Sequence, residues 1–202
     1  MKHVIIDYGA GNIASIMKAC HESGLEAVLS HQPDVIKNAE SLILPGVGAF
    51  KEAMDKLEES GLIPLIKQHV HDDKPFLGIC LGMQLLYEKS FEMGEHRGLG
   101  FLEGQVVPLE TTVKVPHMGW NQLRFSQPGN PLIKTIKEND YVYFVHSYYV
   151  QSKDQYLVAY AEYGNVIPAI VQKGRVVGMQ FHPEKSGRTG KALLNAYKEL
   201  IK

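Results

Sequence analysis

The sequence predicts an α/β fold: a single domain with a central, mostly parallel sheet flanked by helices and an antiparallel β extension in its second half. Three observations predict it. Short apolar runs alternate with helical patterns through the first half, as a parallel sheet with crossover helices requires. From about Leu99 the runs become closely spaced and β-like, as antiparallel neighbours are. The 202 residues suit one substantial core.

In chain order, His3 to Asp7 is the first strand. Ile13, Ile16, Met17 and Cys20 then fall at i, i+3, i+4 and i+7, a core-facing helical stripe with Asn12 as N-cap and Gly24 as stop. Glu26 to Ser30 and Ser41 to Leu44 are the next strands. A second helical pattern, Leu62, Ile63, Leu65, Ile66 and Val70, precedes Lys74-Pro75, which introduces a strand from Phe76 to Ile79. Gly82 to Lys89 reads as a helix opening directly after it. The later strand candidates are Gln105 to Leu109, Gln122 to Phe125, Tyr141 to Val150, Tyr156 to Tyr163, Ala169 to Gln172 and Val176 to Phe181. A closing helix from about Gly190 to Ile201 carries Leu193, Leu194, Tyr197 and Leu200. No repeat, linker or low-complexity tract interrupts this order.

Apolar residues make up 45% and charged residues 21% of the chain, ordinary for a soluble domain that folds by itself. The 21 Lys and Arg nearly cancel the 22 Asp and Glu, and no block of like charge stands out. That argues against nucleic acid or an anionic membrane and for small molecules and proteins as partners. The run Met1-Lys2-His3-Val4-Ile5-Ile6-Asp7 meets a carboxylate too soon for a secretory leader, and no apolar stretch approaches spanning length. Cys20 and Cys80 alone make no disulfide framework and no structural zinc set, which points to a reducing cytoplasm. His69 and His71 face different directions on a helix, so with Asp72 and Asp73 they make a poor metal cluster; no metal or cofactor is expected.

Gly78-Ile79-Cys80-Leu81-Gly82 has the form of a nucleophile elbow with cysteine in the serine place. A buried strand ends, the chain turns sharply between glycines, and a helix begins. The sulfur is then exposed at the top of the sheet, where the helix dipole and its free amides favour the thiolate that attack requires. An arbitrary free cysteine is usually a small buried hydrophobe, and Cys20, on an apolar stripe with no glycines near, is read that way.

A cysteine nucleophile needs a proton acceptor, and nine histidines compete for the role. His3, His21, His31 and His96 have no suggestive context. His182-Pro183-Glu184 follows a strand and sets an imidazole and a carboxylate at i and i+2, on one face if extended geometry continues. Pro183 suits a strand end at a cleft. Glu184 is then placed to hold His182 in one tautomer and to stabilise its imidazolium.

The elbow, continued through Met83 and Gln84, and the late His182-Pro183-Glu184 resemble the class I (triad) glutamine amidotransferases over essentially the whole chain. Four further segments resemble the branch of that family formed by the glutaminase subunits of imidazole glycerol phosphate synthase. They are Asp7-Tyr8-Gly9-Ala10-Gly11-Asn12, Pro45-Gly46-Val47-Gly48-Ala49-Phe50, Pro116-His117-Met118-Gly119-Trp120-Asn121 and Phe144-Val145-His146-Ser147-Tyr148-Tyr149.

The resemblance implies hydrolysis of L-glutamine to glutamate through a γ-glutamyl thioester on Cys80. It also implies delivery of unprotonated ammonia to a separate (β/α)8 cyclase subunit, in a heterodimeric lyase-type synthase of histidine biosynthesis. By matched position, Gln84 and Glu92 bind the α-amino and carboxylate end of glutamine, with Ser147 and Tyr148 lining the same pocket. Oxyanion donors come from the backbone N–H of Leu81 and from the Gly46-Val47-Gly48 loop, at Val47. Glycines on both sides of Val47 make a peptide flip cheap, so the loop is expected to be misaligned until the partner's substrate site fills. Pro116, Met118, Trp120 and Asn121 fall at the face meeting the cyclase, with Tyr143 and Lys185 near the ammonia exit. Phe91, bulkier and less polar than the pattern, stands just before Glu92.

Two rival readings remain open on the residues themselves. Gly9-Ala10-Gly11-Asn12-Ile13-Ala14 has the G-x-G-x-x-A form of a dinucleotide-binding turn, although the acid wanted after the second strand is missing at Ser30-His31. The same elbow would also serve a cysteine peptidase, a γ-glutamyl hydrolase or an amidotransferase with another acceptor partner.

Overall fold

A computed structural model of the chain describes residues 3–201; Met1, Lys2 and Lys202, the ends of the expected 1–202 domain and of the opening Met1 to Asp7 run, lie outside the described residues. The elements run β1 (His3–Ile6), α1 (Ile13–Glu22), β2 (Ala27–Ser30), α2 (Pro33–Lys37), β3 (Ser41–Leu44), α3 (Phe50–Glu59), α4 (Ile63–His71) and β4 (Phe76–Ile79). Then come α5 (Leu81–Gln84), β5 (Tyr87–Ser90), β6 (His96–Arg97), β7 (Leu102–Pro108), β8 (His117–Gln122), β9 (Arg124–Phe125) and β10 (Tyr141–His146). The last are β11 (Tyr148–Ser152), β12 (Leu157–Glu162), β13 (Val166–Lys173), β14 (Val176–Met179) and α6 (Gly187–Leu200).

The central sheet has eight strands in the order β2-β1-β3-β4-β14-β13-β12-β9. Its first five pair in parallel, and β13, β12 and β9 extend it antiparallel, as the sequence predicts. The runs of β1, β3, β4 and β14 are short and apolar because both of their faces are covered, whereas Val28 and Leu29 of the edge strand β2 are exposed. On one face Val4, Ile6, Leu42, Leu44 and Phe76 pack with Ile36, Phe50, Leu57 and Ile66 of α2, α3 and α4. Alternate residues of the same strands, Ile5, Ile43, Leu77 and Ile79, pack on the other face with Ile16 and Cys20 of α1 and Leu193, Leu194 and Tyr197 of α6. Cys20 is therefore core, as read.

The expected helix from Gly82 to Lys89 is not formed; it ends after one turn, at Gln84, and β5 takes over. The carbonyls that would have continued the helix are taken from outside. Leu85 and Leu86 accept from the amides of Leu99 and Phe101, each at 2.8 Å, and Tyr87 accepts from Gly100 at 3.1 Å. Long-range pairing thus overrides the local apolar run. β5 joins β6, β7 and β11 in a second, four-stranded sheet.

The expected strand from Tyr141 to Val150 is two strands broken at Ser147, with β10 pairing β8 and β11 pairing β7. The expected strand from Gln122 to Phe125 is likewise divided between β8 and β9 at Leu123. Helices α2 and α3 went unread, although Phe50, Ala53, Met54 and Leu57 have helical spacing and Phe50, Ala53 and Leu57 are buried. Among the described residues no helix is long and apolar enough to cross a membrane.

Candidate active site

Three adjacent strands end at one edge of the central sheet and deliver the site. β3 runs into the Pro45–Ala49 loop, β4 into Cys80, and β14 into Gln180, Phe181 and His182. Cys80 has φ +54° and ψ −113°, a conformation that costs a residue with a side chain about 1–3 kcal/mol. The elbow closes that tightly because its glycines leave room. A Cβ on Gly78 would stand 2.5 Å from the Gly82 carbonyl oxygen, and one on Gly82 would overlap the Leu44 carbonyl. Cys80 as a whole is 7% exposed. Since α5 is a single turn, any field at Cys80 comes from its first free amides, beginning with Leu81, rather than from a long helix dipole.

His182 lies beyond β14 with Nδ1 donating to Glu184 Oε1 at 2.7 Å, and both side chains are enclosed, at 3% and 0% exposure. The extended geometry expected for His182-Pro183-Glu184 does not occur. Pro183–Lys185 form a turn of 3-10 helix, and that turn brings the carboxylate back under the ring. The imidazole shares the cavity wall with Cys80, whose charge also acts on it. Burial alone would lower the His182 pKa, but its interactions with Cys80 and Glu184 and the negative charge of both outweigh this and push it up to about 9. The resting site is thus an imidazolium held between two acids. Cys20, by contrast, is pushed up to about 12 by burial, with the charge of Glu184 adding to the shift. At that value it is a poor nucleophile.

A cavity of about 290 Å³ opens above the sulfur. Cys80, Leu81 and His182 line it together with Val47 and Gly48. So do all four residues expected to hold glutamine: Gln84, Glu92, Ser147 and Tyr148. Gly46 lies beneath, where a Cβ would stand 2.8 Å from the Gly82 nitrogen and 3.1 Å from the Tyr8 hydroxyl. Gln84 directs its amide nitrogen to the Tyr148 carbonyl and to Gln180 Oε1, both at 3.0 Å, which leaves its own carbonyl oxygen to meet a ligand. Glu92 Oε2 accepts from the Phe50 amide at 2.7 Å, so this carboxylate anchors the start of α3 while it lines the cavity.

The sequence is that of a known family. It matches the family described as glutamine amidotransferase class-I over residues 4–198. The chain belongs to the class-I glutamine amidotransferases. Relatives within the family include proteins named imidazole glycerol phosphate synthase subunit HisH. The one from Oceanobacillus iheyensis is 51% identical over 98% of both chains. That from Lactococcus lactis is 50% identical over 99% of both, and that from Aquifex aeolicus 49% identical over 98% of this chain and 96% of the relative. Two solved structures, a glutamine amidotransferase and PurLQS from Thermotoga maritima, share the fold with TM-scores of 0.77 and 0.76 at 20% and 18% identity. The first covers 98% of both chains, the second 100% of this chain and 99% of its own.

This amidotransferase also places the residues expected at a partner face. Met118 and Trp120 are 61% and 55% exposed on β8, so the tryptophan is no core aromatic. Pro116 immediately precedes β8, and Asn121 lies within it. Tyr143 is directly across from Trp120 in the β8–β10 pair, with ring centroids 6.0 Å apart, and the Lys185 ammonium stands 5.9 Å from the Tyr143 ring. The Tyr143 carbonyl accepts from the His182 amide at 2.9 Å, tying this face to the triad turn.

Sequence reasoning missed several polar residues of the site. Gln180 is fully buried, and its amide nitrogen lies 3.9 Å from the Cys80 sulfur. A polar residue inside the apolar Val176–Phe181 run was a signal for it. Ser186 accepts from the Tyr143 amide at 3.0 Å and donates to the His182 carbonyl at 2.6 Å. Tyr8 donates to the Pro45 carbonyl at 2.7 Å, and burial, with the charge of Cys80, raises its pKa well above the usual phenol value. The glycine turn that suggested a dinucleotide site backs onto this loop instead: a Cβ on Gly11 would stand 3.1 Å from Pro45 Cβ. Among the described residues no cluster of three or more His, Cys, Asp or Glu is arranged to hold a metal ion.

Proposed function

We propose that this chain is the glutaminase subunit of an imidazole glycerol phosphate synthase, with Cys80, His182 and Glu184 as its catalytic triad. The observation that carries the reading is the Glu184-bound imidazole of His182 set with Cys80 in the wall of one cavity of amino-acid size. The Cys80 thiolate attacks the γ-carboxamide carbon, and the oxyanion is met by the Leu81 amide and by an amide of the Val47 loop. As the tetrahedral intermediate collapses, the His182 imidazolium gives its proton to the departing nitrogen, releasing ammonia and leaving a γ-glutamyl thioester. Neutral His182 then takes a proton from water, which attacks the thioester carbon. Glutamate leaves and the thiolate returns.

Gln84 and Glu92 hold the α-amino and carboxylate end of glutamine, while Ser147 and Tyr148 complete the pocket. Relatives near 50% identity that are named as a synthase subunit support assembly with a cyclase subunit as a heterodimer. Pro116, Met118, Trp120 and Asn121 form the docking strip, with Tyr143 and Lys185 where ammonia leaves. A free catalytic thiol fits the cytoplasm. The test is ammonia release from glutamine by the wild type and by Cys80→Ser, each with and without a cyclase barrel and its ribonucleotide. Partner-dependent release lost in the serine variant is the expected result. Release that survives Cys80→Ser would overturn the nucleophile.

A further inference from the structure

A line of polar groups runs from β8 to the wall of the pocket, which His146 itself helps to line, and its two histidines have had no part in the chemistry so far. Asn121 Nδ2 donates to the Glu162 carbonyl at 3.0 Å and lies 3.2 Å from His117 Nε2. His117 Nδ1 is 3.0 Å from His146 Nε2, and His146 Nδ1 is 2.9 Å from the Tyr148 carbonyl. That carbonyl is the one that receives the Gln84 amide at 3.0 Å; Gln84 reaches Gln180, and Gln180 reaches the Cys80 sulfur. The line therefore runs unbroken from β8, beside exposed Trp120, to the nucleophile.

The protons along it are determined. A carbonyl only accepts, so His146 Nδ1 carries the hydrogen and a neutral ring leaves Nε2 as an acceptor. His117 must then donate from Nδ1, which leaves its Nε2 to accept from Asn121. The Asn121 amide is oriented independently, because its Oδ1 accepts from the Gln122 amide at 2.7 Å. Protonating either ring would set two donors face to face, and burial opposes it as well: His117 is lowered to about 4, and His146, by burial and then by the His117 charge, to about 3. The His117 ring is also clamped between Phe144 and Tyr163, with centroids 4.5 and 4.0 Å away and planes within 20°.

We propose that His117 and His146 are positioning residues for the amidase reaction: a tautomer-locked pair that fixes the Tyr148 carbonyl and, through it, the Gln84 amide that shapes the glutamine pocket. This rests on the glutaminase reading above. The role calls for hydrogen-bonding nitrogens at both positions, and the aromatic clamp keeps the first ring from turning.

The experiment follows covalent labelling of Cys80 by 6-diazo-5-oxo-L-norleucine, a glutamine-shaped electrophile, in the full chain assembled with the cyclase barrel and its ribonucleotide, and separates the half-saturating concentration from the maximal rate. His117→Phe keeps the stacked ring and removes both nitrogens. It is expected to raise the half-saturating concentration about five- to tenfold, the effect of one lost hydrogen bond, with the maximal rate little changed and the melting temperature lowered because His146 Nε2 loses its donor. His117→Asn, which restores a donor toward His146, is expected to recover most of that loss. Wild-type affinity in His117→Phe overturns the proposal. Nitrogen NMR of the wild-type rings at neutral pH tests it without any variant: both rings should be neutral with the hydrogen on Nδ1, and a charged ring or the other tautomer overturns it. Wild-type labelling that fails to saturate, or that glutamine does not protect against, removes the glutaminase reading and this inference together.

Discussion

Cys80 and His182 divide the work of the site by environment. The sulfur is forced out of the strand by a positive φ, and the ring is charged because it stands between two acids. The folded pKa of His182, about 9, lies above its ordinary 6.5, so the stabilisation from its charge is complete below 6.5 and is lost as pH rises through 9. Glu184→Gln removes one of the groups that raise it. The alkaline limb of Cys80 labelling should then move to lower pH, and kcat should fall by up to about 10⁴-fold, as when a triad acid becomes an amide. An unchanged pH profile would show that Glu184 does not govern the ring. The triad was legible in the sequence because glycines bracket one cysteine and a short acid-bearing motif follows a strand. Gln180 and Ser186 were not, because their importance comes from contacts 100 and 43 positions away in the chain.

At the scale of elements, the elbow is a packing solution. Gly82 presses on the end of β3, so Gly82→Ala must push backbone against backbone, not against a side chain that can move. We expect a loss of about 1–3 kcal/mol or more in urea unfolding, together with loss of activity; a variant as stable as the wild type would mean that the elbow can relax. The strands buried on both faces were read almost to the residue, since their apolar runs admit one interpretation. The stretch after Gln84 was misread because Leu85, Leu86 and Tyr87 suit a helix equally well until Leu99 to Leu102 arrive to claim their carbonyls. Ser147 split an expected strand for a similar reason: its two halves pair with different sheets.

Across the whole molecule, the two hydrophobic layers account for stability, and the β8–β10 ribbon adds Val142 and Phe144 to one of them while it turns Met118 and Trp120 outward. Trp120→Ala should therefore leave the melting temperature nearly unchanged and weaken binding to the cyclase by about 2 kcal/mol or more, the size of an interface hot spot, measured by calorimetric titration. Undiminished affinity would remove the tryptophan from the docking strip. Fold class and strand order along the chain were legible from patterning, whereas the second sheet and the ribbon depend on pairings between distant segments that no local pattern encodes. The register of β14 on β4 sets Met179 beside Ile79 and places Gln180 just past it, at the sulfur. Successive side chains alternate between the faces of a strand, so a slip of one rung would offer Phe181 to Cys80 and turn the amide away. Such a misaligned molecule would also trade Val176, Val177 and Met179 between its two cores, so the chemistry and the packing are held by one and the same alignment.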